Sequence, residues 1–167
     1  MRIIFSILLA LLSISNIQSQ SLELDATTNM YVMKGIIQCD SSFNRKALYE
    51  LSKEWIVKNL KSSDNNINLD DKEFKQMTAT GNVEGKDMNY TINFKLTIDV
   101  KDGKVRYTFE NISYASKNSK FNFPIEKIQR KNKLQIKTFE DVEQTLATLA
   151  KSLNASLLQD PKKRDNW

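Results

Sequence analysis

The stretch 90-YTINFKLTIDVKDGKVRYTFENISY-114 alternates apolar and polar residues on both sides of an Asp102-Gly103 joint. On its first arm Tyr90, Ile92, Phe94, Leu96, Ile98 and Val100 are apolar, and Thr91, Asn93, Lys95, Thr97, Asp99 and Lys101 fall between them. Successive side chains of a strand point to opposite faces, so this alternation predicts a strand with one buried face and one wet face. Asp-Gly is a strong hairpin signal, because a type I′ turn needs positive φ at both central residues. Closing the chain there sets Val100 opposite Val105, Ile98 opposite Tyr107 and Leu96 opposite Phe109. The same register brings Asp99 to Arg106, Thr97 to Thr108 and Lys95 to Glu110 on the other face. Opposite-charge and Thr pairs thus emerge from a register chosen on apolar residues alone, which supports it independently. After Phe109 the parity breaks, since Ile112 and Tyr114 are apolar instead of Asn111 and Ser113. One extra residue bulged near Glu110 or Asn111 restores the face, with Ile112 against Phe94 and Tyr114 against Ile92, and predicts a curved sheet.

Upstream, 31-YVMKGIIQC-39 reads as a strand with Tyr31, Met33, Ile37 and Cys39 on one face. Asp40-Ser41-Ser42 offers N-cap residues for a helix from Phe43 to Leu60, whose inner stripe is Ala47, Leu48, Leu51, Trp55, Ile56 and Leu60. A loop over 61–66, a short strand 67–69, a turn 70–73 and a strand 74–83 follow. The inward side of that last strand, Met77, Ala79, Gly81 and Val83, is small in the middle. After the hairpin, 133-KLQIK-137 reads as strand-like, and Thr138 with Asp141 resembles a capping box. Val142, Leu146, Leu149, Ala150, Leu153 and Leu157 then recur at helical spacing and predict a helix over 138–158. The order β-α-β-β-β-β-α describes an α+β domain: a curved antiparallel sheet with helices packed on one face.

Met1-Arg2 and the apolar run Ile3–Leu12, followed by 15-SNIQSQS-21, have the layout of a secretory signal peptide, with cleavage expected after Ser19. The apolar run is too short to be read as a membrane span. Removing 19 of the 167 residues leaves 148, the size of one domain over 20–160 with a charged tail at 161–167. Loss of Arg2 lowers the formal charge from +5 to +4. The excess is concentrated in a basic loop over 115–137, where Lys117, Lys120, Lys127, Arg130, Lys131, Lys133 and Lys137 face a single acid, Glu126. Such a segment suits phosphate-rich lipid, polysaccharide or another anionic partner, or is simply a solvated loop.

The chain contains no histidine, which removes His-based acid-base catalysis, His-activated nucleophiles and His-ligated zinc. Cys39 is the only cysteine, so no internal disulfide forms, and its place at a strand end predicts an inert thiol. Asp70, Asp71 and Glu73 lack the spacing and glycine of a calcium loop, and turn chemistry explains them. No phosphate loop, nucleophile elbow or facing pair of acids is present. The expectation is a non-enzymatic protein with no catalytic residues, cofactor or metal.

The run from Gly35 through 48-LYELSKEWIVKNLKSS-63 and 67-INLDDKE-73, the strand 79-ATGNVEG-85, and 92-INFKLTIDVKDGKVRYTFENI-112 resemble a family of secreted bacterial domains of unknown function with a TATA-binding-protein-like (TBP-like) fold. The resemblance covers 31–114 and implies that fold, a Gram-negative envelope or extracellular setting, and no assigned site residues. Fold does not imply function, and Asp99 and Glu110 on the wet face argue against gripping nucleic acid. The leading expectation is an exported interaction module of the cell envelope. Its candidate contacts are Lys127, Arg130, Lys131 and Lys133, toward an envelope protein, a glycan or an anionic lipid, with Phe121 and Phe123 adding apolar surface. The alternative is a carrier holding a small apolar ligand between sheet and helices near Trp55, Ala79 and Gly81.

Overall fold

Closing the chain at Asp102-Gly103 produces the register that the alternation demands. In the computed structural model, which describes residues 20–40, 43–60, 67–86, 90–116 and 121–158, the elements in order are β1 (Glu23–Leu24), β2 (Tyr31–Gln38), α1 (Arg45–Asn59), β3 (Ile67–Asp71), β4 (Gln76–Glu84), β5 (Tyr90–Lys101), β6 (Lys104–Ser116), β7 (Phe123–Pro124), a 3-10 turn (Ile125–Lys127) and α2 (Lys133–Leu158). Every expected pair from Val100↔Val105 to Lys95↔Glu110 is present, and Ile92 lies opposite Tyr114. Between Asn93 and Lys95 the register shifts, with Asn111 at φ 53° supplying the extra residue on β6. The bulge therefore falls where the apolar parity breaks. The turn type differs from expectation. Gly103 has φ 68°, but Asp102 is outside the left-handed region, and its Oδ1 accepts a hydrogen bond from Arg45 N at 2.7 Å, at the start of α1.

The hairpin lies in the middle of an antiparallel sheet ordered β1-β2-β6-β5-β4-β3. Alongside β6, β2 runs from Met33↔Phe109 to Gln38↔Lys104, and β7 pairs further along at Ser113↔Pro124. The outer face carries the ion pairs Lys95–Glu110 and Arg106–Asp99, each at 2.9 Å. The inner face buries Met33, Ile37, Met77, Ala79, Ile92, Phe94, Leu96, Ile98, Tyr107 and Phe109 with both helices in one core.

Asn44, rather than Asp40 or the serines, caps α1: its Oδ1 accepts from Ala47 N at 2.8 Å. Ser41 and Ser42 lie outside the described residues, as do the signal-like segment 1–19, the 61–66 loop, Lys117, Lys120 and the tail. The buried side of α1 is Leu48, Tyr49, Ser52, Trp55 and Ile56. Tyr49 and Ser52 were not expected there. Their hydroxyls find partners, Ser52 Oγ donating to Leu48 O at 2.8 Å and Tyr49 to Asp70, which makes their burial tolerable.

The largest departure is at α2, which begins at Lys133 and not at 138. Residues 133–137 are helical because Asn132 Oδ1 accepts from Gln135 N and Gln135 Oε1 accepts from Lys131 N, both at 2.9 Å. This reciprocal cap does the work assigned to Thr138 and Asp141. Thr138 instead donates to Leu134 O at 2.9 Å, and buried Asp141 accepts from Tyr90 Oη and, at 3.1 Å, from Lys86 N. Of the expected stripe, Val142, Leu146, Ala150, Leu153 and Leu157 are buried and Leu149 is partly buried. In β4 the start moves to Gln76, leaving Phe74 exposed in the turn beside Lys75, whose φ is 54°.

Candidate functional site

Two regions were candidates from sequence, and the structure treats them differently. In the first, Ala79 is fully buried, and a Cβ on Gly81 would sit 2.7 Å from Phe94 Cε2 and 3.2 Å from Leu60 Cδ1. Phe94 is held in turn edge-to-face against Phe109, at 5.2 Å between ring centroids. The small residues thus admit an aromatic ring, as close packing requires. Trp55 is buried, and its Nε1 donates to Ser152 Oγ at 3.1 Å, joining α1 to α2. At this seam a shallow groove of about 240 Å³ is lined by Glu54, Trp55, Lys58, Asn59, Ser152, Ala155 and Ser156, mostly polar side chains. Trp55 lines this groove, but Ala79 and Gly81 do not.

The second region is the connection from β7 to α2. It is an anchored turn. Ile125 and Ile128 are buried beneath it, and Glu126 Oε1 accepts from Tyr31 N at 2.9 Å. Arg130, at φ 53°, lays its guanidinium 4.6 Å from the Phe139 ring centroid and 5.9 Å from that of Tyr31, and donates to Tyr31 Oη at 3.0 Å. The two rings meet edge-to-face at 5.1 Å. Such cation–π contacts hold the segment to the body, so Arg130 is engaged within the fold. Lys127, Lys131 and Lys133 are exposed and form no ion pair with a described residue. Beside them the first turns of α2 expose Leu134 (62%) and Ile136 (41%), which sequence reading had assigned to a strand. Phe121 is exposed, whereas Phe123 stacks on Tyr114 at 5.7 Å and so helps pin the segment.

The remaining polar clusters serve the fold. Tyr49 and Lys53 both donate to Asp70. Burial first, and then the Asp70 carboxylate, push the Tyr49 phenol well above its usual range, while the Lys53 and Tyr49 hydrogen bonds hold Asp70 below the usual carboxylate range. Asp71 Oδ1 accepts from Glu73 N at 3.0 Å and Phe74 N at 2.9 Å, which is ordinary turn chemistry. Cys39 is half-buried, and burial pushes its thiol up, away from the reactive thiolate. Among the described residues, no group of acids or cysteine is arranged to hold a metal ion, and no helix is long and apolar enough to cross a membrane.

Comparison with known proteins bears on the fold. Two solved structures are similar: a DUF4468 family protein from Bacteroides ovatus, 15% identical with a TM-score of 0.60 over 83% of this chain and 88% of that one, and a TBP-like protein from Parabacteroides distasonis, 14% identical with a TM-score of 0.61 over 75% and 91%. At such identity the likeness speaks for architecture alone. No curated protein matches the chain. The family model for DUF4468, a domain of unknown function with TBP-like fold, matches residues 34–115, from the middle of β2 to the end of β6. Residues 34–115 thus match the DUF4468 family model, and the antiparallel sheet with two helices is the TBP-like α+β fold expected from sequence.

Proposed function

We propose that this protein is an exported, non-enzymatic interaction domain of the cell envelope that presents the turn between β7 and α2 to an anionic partner. The observation that carries the reading is the anchoring of that turn. Buried Ile125 and Ile128, the Glu126 bond to Tyr31 and the Arg130 stack fix its backbone, while Lys127, Lys131 and Lys133 stand in solvent. A pre-ordered display loses little conformational freedom on binding, unlike a loose basic loop. Export rests on the signal-like segment Met1–Leu12. The carrier alternative has less support, because Phe94 and Leu60 occupy the space above Gly81. Nucleic acid is also disfavoured, since Asp99 and Glu110 neutralise Arg106 and Lys95 on the open sheet face.

The test compares two triple variants of residues 20–167 on a heparin column eluted with salt. One replaces Lys127, Lys131 and Lys133 with Ser; the control replaces Lys46, Lys72 and Lys104, which are also exposed and remove the same charge. Earlier elution of the first than of the control is expected. Equal elution would mean that net charge alone acts and would remove the turn from the proposal. Fractionation of expressing cells tests export: processed protein in the envelope or medium is expected, and uncleaved protein confined to the cytosol would refute it.

A further inference from the structure

The first turns of α2 present more than charge. At 3.6 residues per turn, Ile136, Lys133, Lys137 and Leu134 fall in that order around an arc of about 160°. All four are exposed, and the nearest acid on the same arc is Glu140, almost two turns from Lys133. Leu134 shares its row with Thr138 and Asp141, which are both buried. The row is therefore covered from Thr138 onward, and the first turn projects beyond the body. A partner recognised by charge alone gives no reason for two large aliphatic side chains to stand among lysines at this projecting tip. Their exposure is costly in water and is recovered when they are buried.

We infer that the anionic partner of the turn is a lipid bilayer surface, with Leu134 and Ile136 entering the headgroup region while Lys127, Lys131 and Lys133 meet lipid phosphates. This inference rests on the reading of the basic turn given above. Its chemistry is that of interfacial binding: apolar side chains reach the acyl boundary, and flexible lysine stems let the ammonium groups remain at phosphate level. Neither contribution anchors a protein alone, and together they give weak, reversible binding that depends on anionic lipid and on salt. Charge complementarity calls for an anionic surface, since every titratable side chain from Lys127 to Lys137 is basic, and the exposed Leu134 and Ile136 among those lysines single out a bilayer.

The experiment is co-sedimentation of residues 20–167 with vesicles of equal phosphatidylcholine and phosphatidylglycerol, and with vesicles of phosphatidylcholine alone. Binding to the anionic vesicles only is expected. Leu134→Ser with Ile136→Ser should lower partitioning about tenfold or more, and each lysine replaced by Ser about fivefold. Because these side chains are solvent-exposed, the variants should keep the wild-type circular dichroism and urea midpoint. Absence of binding to anionic vesicles, or binding indifferent to the Leu134 and Ile136 changes, overturns the lipid assignment. If vesicles fail while lysine-dependent heparin retention persists, the turn is assigned to a soluble or glycan polyanion and only the lipid inference falls. If heparin retention is also indifferent to the three lysines, both readings fall.

Discussion

Replacing Gly81 with Ala asks whether the space between sheet and helices is full. The added methyl would lie 2.7 Å from Phe94 Cε2 and 2.8 Å from Cζ. Carbon atoms settle at about 3.5–4.0 Å, so the ring would have to retreat by about 1 Å. It has little room to do so: Phe94 is 2% exposed and its ring abuts Phe109. Overpacking of this kind costs about 1–3 kcal/mol, offset by roughly 0.5–1 kcal/mol from replacing a strand glycine. The net expectation is a loss of up to about 2.5 kcal/mol, with the melting temperature falling roughly 2–4 °C per kcal/mol for a domain of this size. Urea unfolding of residues 20–167 measures it. In a Phe94→Leu background, which removes the obstructing ring, the methyl added by Gly81→Ala should cost less or even stabilise, giving a non-additive double-mutant cycle. A neutral or stabilising Gly81→Ala, additive with Phe94→Leu, would refute the packing argument. It would reveal open space on the inner sheet and return the carrier reading to contention.

Asn111 supplies the bulge residue at φ 53°, so Asn111→Val should destabilise by about 1–3 kcal/mol while Asn111→Gly stays near neutral; equal urea midpoints for the two would mean that the left-handed backbone is not what the position requires. Tyr49 remains protonated in the folded protein above about pH 10, where an unfolded tyrosine ionises, so native protein binds more protons and stability falls as pH rises through that range. Tyr49→Phe should make this alkaline fall less steep, although Tyr107, raised by its own burial, keeps part of it; identical slopes from urea midpoints at about pH 8 and about pH 11 would refute the assignment.

The hairpin register was legible because its two faces carry separate information. Apolar packing and the Asp99–Arg106 and Lys95–Glu110 pairs agree on one alignment, and a shift of a single residue would break both. The start of α2 was not legible, since 133-KLQIK-137 alternates like a strand and its helical state depends on the Asn132 and Gln135 cap. That misreading also hid the projecting Leu134 and Ile136, which acquire meaning only once they share a helical arc with lysines. Tyr49 and Ser52 were missed because their hydroxyls suggest a wet face, whereas both bond inside the fold. Arg130 looked like its lysine neighbours in the sequence. Its difference comes from Tyr31 and Phe139, brought to it by tertiary structure. The two-residue strands β1 and β7 are too short to leave a periodic signal.

The central place of β6 in the sheet imposes an order on folding. Met33 pairs with Phe109 and Gln38 with Lys104, so β2 has no sheet neighbour on that side until a much later part of the chain arrives. Strands β3 to β6, in contrast, pair each with its successor and can assemble as a local meander. Local pairings close shorter loops and form faster than distant ones. A chain emerging from its N-terminus therefore waits with Met33 and Ile37 uncovered until β6 has appeared. A polypeptide delivered in this order can close its sheet over β2 only once the chain has passed Ser116, the last residue of β6.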